Sequence, residues 1–157
     1  SFFVIIGNSS LIPLLGSLTA FLLFNWSPAK VFMGDVGSTF LGALFAGLLL
    51  QSTSWRDSFV FLAIATPLLL DALICLMRRV FAKENIFKPH RKHLYQRLIG
   101  QKNLSHGKVS ILYIFMSIIN TVSLYFGGIN TFVLNLIFIV VVGYYLDRLI
   151  AKPFQSL

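Results

Sequence analysis

Residues 58–79 read SFVFLAIATPLLLDALICLMRR. Before the closing arginines the only ionisable carboxylate in this run is Asp71. At 1.5 Å per residue it extends about 33 Å as a helix, enough to cross a hydrocarbon core of about 30 Å. It reads as a full membrane span, bent near Pro67, where the ring removes a backbone donor. The rest of the chain fits the same solvent: 57% of the 157 residues are hydrophobic, 11% are charged and 16 are Phe. That excess of apolar surface excludes an ordinary soluble domain. The net charge of +8 would suit nucleic acid in a soluble protein, but in a membrane protein basic residues collect on the cytoplasmic side. Cys75 is the single cysteine, so an intramolecular disulfide is excluded.

On either side of this span the chain alternates between apolar runs and short polar breaks. Residues 1–6 read as the last turns of a helix whose start is missing, and 7–10 as a turn. Leu11 to Phe24 is a short apolar segment. A polar loop follows, and Gly37 to about Ser54 forms the next span, with Gly37, Gly42 and Gly47 permitting close helix contacts. Trp55-Arg56-Asp57 is expected to be a turn before the 58–79 span. Residues 80–107 are the long polar segment. Ser105 is a cap for a helix over Lys108 to about Phe126, 127–130 is a tight turn, and Thr131 to Leu149 is the last span. The expected fold is all-α: a polytopic membrane helix bundle of about five transmembrane helices plus an N-terminal helix remnant.

Hairpinning these spans puts Lys30, the 78–108 segment, Arg148 and Lys152 on one side, which makes twelve of the thirteen basic residues. Arg56 alone falls on the other. The positive-inside rule then turns two loops, about 25–37 and 80–107, toward the cytoplasm.

Three constellations stand out. Asp35, between Gly34 and Gly37, opens a helix. One reading makes it a helix cap. The other makes it a ligand for Mg²⁺, at a helix start whose partial positive charge and free amides suit phosphate. Phe32 is placed to stack on a base, or to contact lipid or core. Asp71 lies seven residues before Arg78, about 10 Å deeper on the same helix face. A carboxylate inside a bilayer is a functional candidate by default, with an internal ion pair, such as one to Lys30, as the alternative. The third is Phe87-Lys88-Pro89-His90-Arg91-Lys92-His93-Leu94-Tyr95-Gln96-Arg97-Leu98. A helix started by Pro89 would set His90, His93 and Arg97 on one face. That composition suits polyphosphate, with a basic interfacial helix as the alternative. Two histidines without a third ligand make a weak zinc signal, and no nucleic-acid reading motif is present.

The stretch Asn25 to Ser38, centred on Pro28-Ala29-Lys30-Val31-Phe32-Met33-Gly34-Asp35-Val36-Gly37-Ser38, closely resembles the signature of the polyprenyl-phosphate N-acetylhexosamine-1-phosphate transferases, the glycosyltransferase family 4-like membrane enzymes. His90 to Leu98 resembles their histidine-containing cytoplasmic loop. Where many members carry His-x-His-His, His93 matches the first His, and Tyr95 and Gln96 replace the other two. The pattern looks more like the branch that starts O-antigen or related surface polysaccharides than the cell-wall branches. The family's adjacent pair of aspartates has no counterpart, since the chain contains no Asp-Asp. Residues 1–157 are therefore expected to be the C-terminal half of a membrane-embedded transferase domain, inactive as an isolated fragment.

The resemblance implies transfer of an N-acetylhexosamine-1-phosphate from a UDP-sugar to undecaprenyl phosphate with release of UMP. It places the protein as a multi-pass protein of a bacterial cytoplasmic membrane, its site loops facing the cytoplasm. It implies Asp35, His93 and Asp71 as catalytic candidates, with Asp35 the ligand of Mg²⁺. Phe32 would stack on uracil, with Met33 and Gly34 lining that pocket. His93 and Arg91 would contact phosphates, and Asn25, Lys30, His90 and Arg97 complete the substrate-binding set. The expected partners are UDP-N-acetylhexosamine, undecaprenyl phosphate and membrane lipid, with a homodimer as the candidate assembly and no nucleic acid. The alternatives are a non-enzymatic multi-pass protein such as a transporter subunit, with Asp71 as its coupling carboxylate, or an inactive truncated fragment.

Overall fold

The computed structural model describes residues 11–52 and 54–154, and every regular element among them is helical. The readings for residues 1–10 lie outside the described residues. The helices are α1 (Ile12–Asn25), α2 (Gly34–Leu50), α3 (Trp55–Phe81), α4 (Leu94–Leu98) and α5 (His106–Leu149). Contacts divide the chain into two units, Ser1–Leu62 and Ala63–Leu157.

In the first unit, α1 has 14 residues and α2 has 17, and neither buries a residue. They are apolar but shorter than the roughly 20 residues of a full crossing. Between them the chain folds back on itself. The amides of Lys30 and Val31 both donate to the Phe24 carbonyl, at 2.8 and 3.2 Å. The side-chain amide of Asn25 donates to the Val31 carbonyl at 2.9 Å.

Trp55, Arg56 and Asp57 form the first turn of α3, not the turn expected before it. The reason is local. Ser54 Oγ accepts the Asp57 amide at 3.2 Å and donates to the Asp57 carboxylate at 2.8 Å, a reciprocal cap that starts the helix early.

Among the described residues two helices are long and apolar enough to cross a membrane, α3 with 27 residues and α5 with 44. As one rod α5 would run about 66 Å, twice the hydrocarbon thickness. It breaks at Gly128, whose φ of 74° and ψ of −165° leave the helix, a conformation that only glycine adopts without strain. Thr131 Oγ1 ties off the break by donating to the carbonyls of Ser123 (2.7 Å) and Gly128 (3.0 Å). The turn expected at 127–130 is therefore present, with an arm of crossing length on each side. Ser105 caps the first arm, its side chain accepting the Lys108 amide at 3.4 Å. This is the all-helical architecture of a membrane bundle, and its large apolar side chains, such as Leu73, Phe138 and Leu134, face outward.

The second unit is held in part by buried polar contacts. Pro67 sits inside α3 and has no N–H for the carbonyl four residues earlier, that of Ala63. Asn120, fully buried on α5, donates to that carbonyl at 2.9 Å. Asn135, on the second arm, donates in turn to Asn120 Oδ1 at 3.2 Å. One asparagine thus ties α3 to both arms of α5 and satisfies the carbonyl that Pro67 leaves open.

Candidate functional site

Asp35 lies in the first turn of α2, one residue inside the helix. The N-cap is Met33, which makes no side-chain cap bond. The Asp35 carboxylate is exposed and has no hydrogen bond or ion pair among the described residues. Capping therefore does not explain its presence. Gly34 carries the positive φ of 63° that turns the chain into the helix. At Gly37 a Cβ would lie 2.5 Å from Met33 Cγ, so Met33 packs over the helix start because position 37 is glycine. Phe32 is 80% exposed. Lys30 is also exposed and its ammonium has no partner among the described residues. Asn25 uses its amide to close the loop that presents all of these.

The second unit gathers Asp71, His90, His93 and Arg97, along with partners that the sequence alone did not single out. Asp71 is 8% exposed. Its Oδ1 accepts the Leu94 amide at 2.7 Å, and its Oδ2 accepts the Tyr95 amide at 3.1 Å and the Tyr113 hydroxyl at 2.9 Å. These partners, rather than an ion pair with Lys30, satisfy it. The short helix starts at Leu94 instead of Pro89, with His93 as its N-cap residue in extended conformation (ψ 146°). His90 consequently lies outside the helix, in the segment leading to it. The two rings remain neighbours, with centroids 5.1 Å apart, and His93 stacks on Tyr95 at 5.6 Å. His93 Nδ1 stands 4.0 Å from Asp71 Oδ1.

Arg79 is buried and organises the loop after α3. Its guanidinium donates to the carbonyls of Asn85, Ile86 (3.1 Å) and Lys88 (3.3 Å) and pairs with Glu84 (3.3 Å). Lys92 completes the turn by pairing with Glu84 at 2.7 Å. The bond from Lys92, helped by Arg79, holds the Glu84 carboxyl below its usual range. Together they shape an open cleft of about 590 Å³ lined by Arg79, Lys88, His90, Arg91, Lys92 and the single acid Glu84. Arg91 is exposed and unpaired among the described residues. Partial burial, and then the charges of Arg79, His93 and Lys92, push the His90 pKa down. That agrees with its Nδ1 accepting the Lys92 amide at 3.3 Å.

A third ligand atom does join the two histidines. Cys75, His90 and His93 bring theirs within 4.8 Å of one another. With His90 Nδ1 accepting an amide, the proton of the neutral ring sits on Nε2, which removes that lone pair from a metal. Arg79 and Lys92 add positive charge on the same side. The surroundings favour an anion.

Arg97 is placed differently from a substrate contact. It is 3% exposed, and its nitrogens donate to the carbonyls of Lys92 (3.1 Å) and Lys152 (2.7 Å) and to the Asp147 carboxylate. Asp147 also accepts Arg78 at 2.6 Å. The Phe154 ring lies over Arg78, Lys92 and Arg97, 5.2–5.5 Å from each cationic group. Arg97 therefore fastens the loop to the far end of α5. Beside this network a largely apolar cavity of about 160 Å³ runs among Leu70, Ile74, Met116, Ile139 and Tyr144.

Residues 2–53 match the family model described as Glycosyl transferase family 4. The chain is similar to a probable undecaprenyl-phosphate N-acetylglucosaminyl 1-phosphate transferase of Bacillus subtilis, 33% identical over 72% of this chain and 32% of the relative. It is also similar to the decaprenyl-phosphate N-acetylglucosaminephosphotransferase of Mycobacterium leprae, 33% identical over 78% and 33%. A phospho-N-acetylmuramoyl-pentapeptide-transferase of Streptococcus equi subsp. zooepidemicus is 39% identical over 45% of this chain and 20% of its own length. The chain spans about a third of the length of the first two relatives. No solved structure matches it.

Proposed function

We propose that this chain, a relative of the glycosyl transferase family 4 proteins, is the part of a membrane transferase that handles the phosphates in moving a sugar-1-phosphate from a nucleotide donor to a polyprenyl phosphate. A phosphate oxygen of the polyprenyl carrier attacks the β-phosphorus of the UDP-sugar. A new P–O–P linkage forms, the bond to the UMP oxygen breaks, and UMP leaves. The observation that carries this reading is the cationic cleft at 79–92, with Arg91 unpaired and His90 and His93 beside it, on a membrane helix bundle. Both reactants are anionic, so fixed positive charge lowers their repulsion and holds them in line. The apolar cavity among Leu70, Ile74 and Met116 offers a place for an isoprenoid segment next to that charge.

Asp35 fits Mg²⁺, which takes one or two protein carboxylates and fills its shell with phosphate oxygens and water. When bound, the ion would offset charge on the donor diphosphate. Phe32 stacks on the uracil from its exposed position, and Lys30 faces the same donor. His93 and Arg91 hold phosphate oxygens. Two relatives that each cover more than two thirds of this chain are named for N-acetylglucosamine, and we assign that sugar, with the two loops on the cytoplasmic side where a nucleotide sugar is available.

The test is Asp35→Asn in the whole protein, in membranes supplied with UDP-N-acetylglucosamine and polyprenyl phosphate. UMP release is expected to vanish while the protein stays in the membrane. Near-normal release would overturn the role of Asp35.

A further inference from the structure

We infer that Asp71 is a positioning residue for the histidine loop, acting as an acceptor planted in α3 for amides of a different element. This rests on the proposed role of His93 at a phosphate. Three donors converge on its carboxylate: the amides of Leu94 and Tyr95 and the hydroxyl of Tyr113, at 2.7, 3.1 and 2.9 Å. The first two are amides at the start of α4, which lack a partner within their own helix. Ordinarily the residue just before a helix supplies the acceptor. Here that residue is His93, which makes no cap bond. Asp71 performs the capping from 23 residues away, and the His93 ring stands beside it, Nδ1 4.0 Å from Asp71 Oδ1 and stacked on Tyr95.

The arrangement explains a carboxylate within a span. Left bare it would be expensive, but as the acceptor of three bonds it is satisfied. It also explains Tyr113, whose hydroxyl links α5 to the same oxygen that holds Tyr95 and whose ring meets the Tyr95 ring edge-on at 6.2 Å. The peptide between His93 and Leu94 is held by Oδ1 and that between Leu94 and Tyr95 by Oδ2, while the Tyr95 ring meets the Tyr113 edge and stacks on His93. His93 therefore has little freedom in where its imidazole stands. The carboxylate thus acts through the groups it accepts, the Leu94 and Tyr95 amides and the Tyr113 hydroxyl.

The inference is tested by amide hydrogen exchange on this chain in detergent micelles, comparing the native sequence with Asp71→Asn and Tyr113→Phe. Asn offers one acceptor and turns a donor toward the other amide. Exchange at Leu94 and Tyr95 is expected to accelerate about tenfold, the factor that goes with losing a helix cap, while amides of α5 keep their rates. Tyr113→Phe, which leaves the acid in place, is expected to give a smaller acceleration at the same two amides. Unchanged exchange at both amides in both variants would overturn the inference. If Asp71→Asn loosens α5 as well, Tyr113→Phe decides: a rise confined to Leu94 and Tyr95 supports it, and no rise overturns it. In the whole transferase, Asp71→Asn is expected to lower kcat about tenfold with little change in KM for the UDP-sugar, and Asp71→Glu to recover part of the loss. Faster exchange with unaltered turnover would leave Asp71 as the cap and remove His93 from the reaction.

Discussion

Asn120 donates its side-chain amide to the one carbonyl in α3, that of Ala63, which Pro67 leaves without its helical partner. The proline and the asparagine are therefore coupled though they sit on different helices. Asn120→Leu is expected to destabilise the chain by about 1 kcal/mol, the usual scale for a hydrogen bond between membrane helices. Pro67→Ala restores a backbone donor to Ala63, so the double variant should lose less than the two single changes added together. Additive losses in a detergent unfolding series would show that the two residues act separately.

Phe32 is expected to act in donor binding and not in holding the fold. Its ring is 80% exposed, so Phe32→Ala should leave unfolding unchanged while raising KM for the UDP-sugar about tenfold, as for the loss of one base–aromatic stack. Phe32→Tyr should retain near-normal KM. A loss of stability with unchanged KM would reassign the ring to packing.

Arg97 and Asp147 form a buried pair joining the loop to the last span. Arg97→Ala leaves Asp147 to Arg78 alone and strips the Lys92 and Lys152 carbonyls of a buried donor, so it is expected to cost about 2 kcal/mol. Arg97→Lys should rescue little, because a single ammonium cannot reach Lys92, Asp147 and Lys152 together. A variant that keeps full stability but binds donor weakly would return Arg97 to the substrate.

His90 sets a pH dependence on the cleft. Its pKa in the folded chain lies below the ordinary 6.5, so the unfolded chain binds the proton more readily. The contribution is fully present above that ordinary value and is lost as pH falls through the lower folded one. Acidification should therefore release the Lys92 amide from Nδ1 and speed its exchange. An NMR titration of His90 with a midpoint at or above the ordinary value would contradict this.

The long apolar helices α3 and α5 were legible because their apolar runs and the signals at Pro67, Ser105 and Gly128 all act within a few residues of where they are written. Asp35 and Phe32 stand out for the same local reason: they lie three residues apart, where a short loop runs into the first turn of α2. Trp55 was misread as a turn because the Ser54–Asp57 cap outweighs the polar look of the triplet. The short helix was placed at Pro89 instead of Leu94 because its start is determined by an acceptor on α3 that no neighbouring residue announces. Arg97 was read from its charge, whereas its position depends on acceptors 50 and 55 residues later. Asp147, at the end of the last span, gave no local sign of its two arginines.

The break at Gly128 also has a consequence for the order of events during synthesis. Arg97 closes on Asp147, near the end of the second arm, and on Lys152 just beyond it, so both partners are translated well after Gly128. The loop at 80–107 is translated first yet lacks this clamp until the hairpin behind it has been made. A chain stalled inside the last hairpin would carry the histidines without the Arg97 clamp that ties their loop to the end of α5.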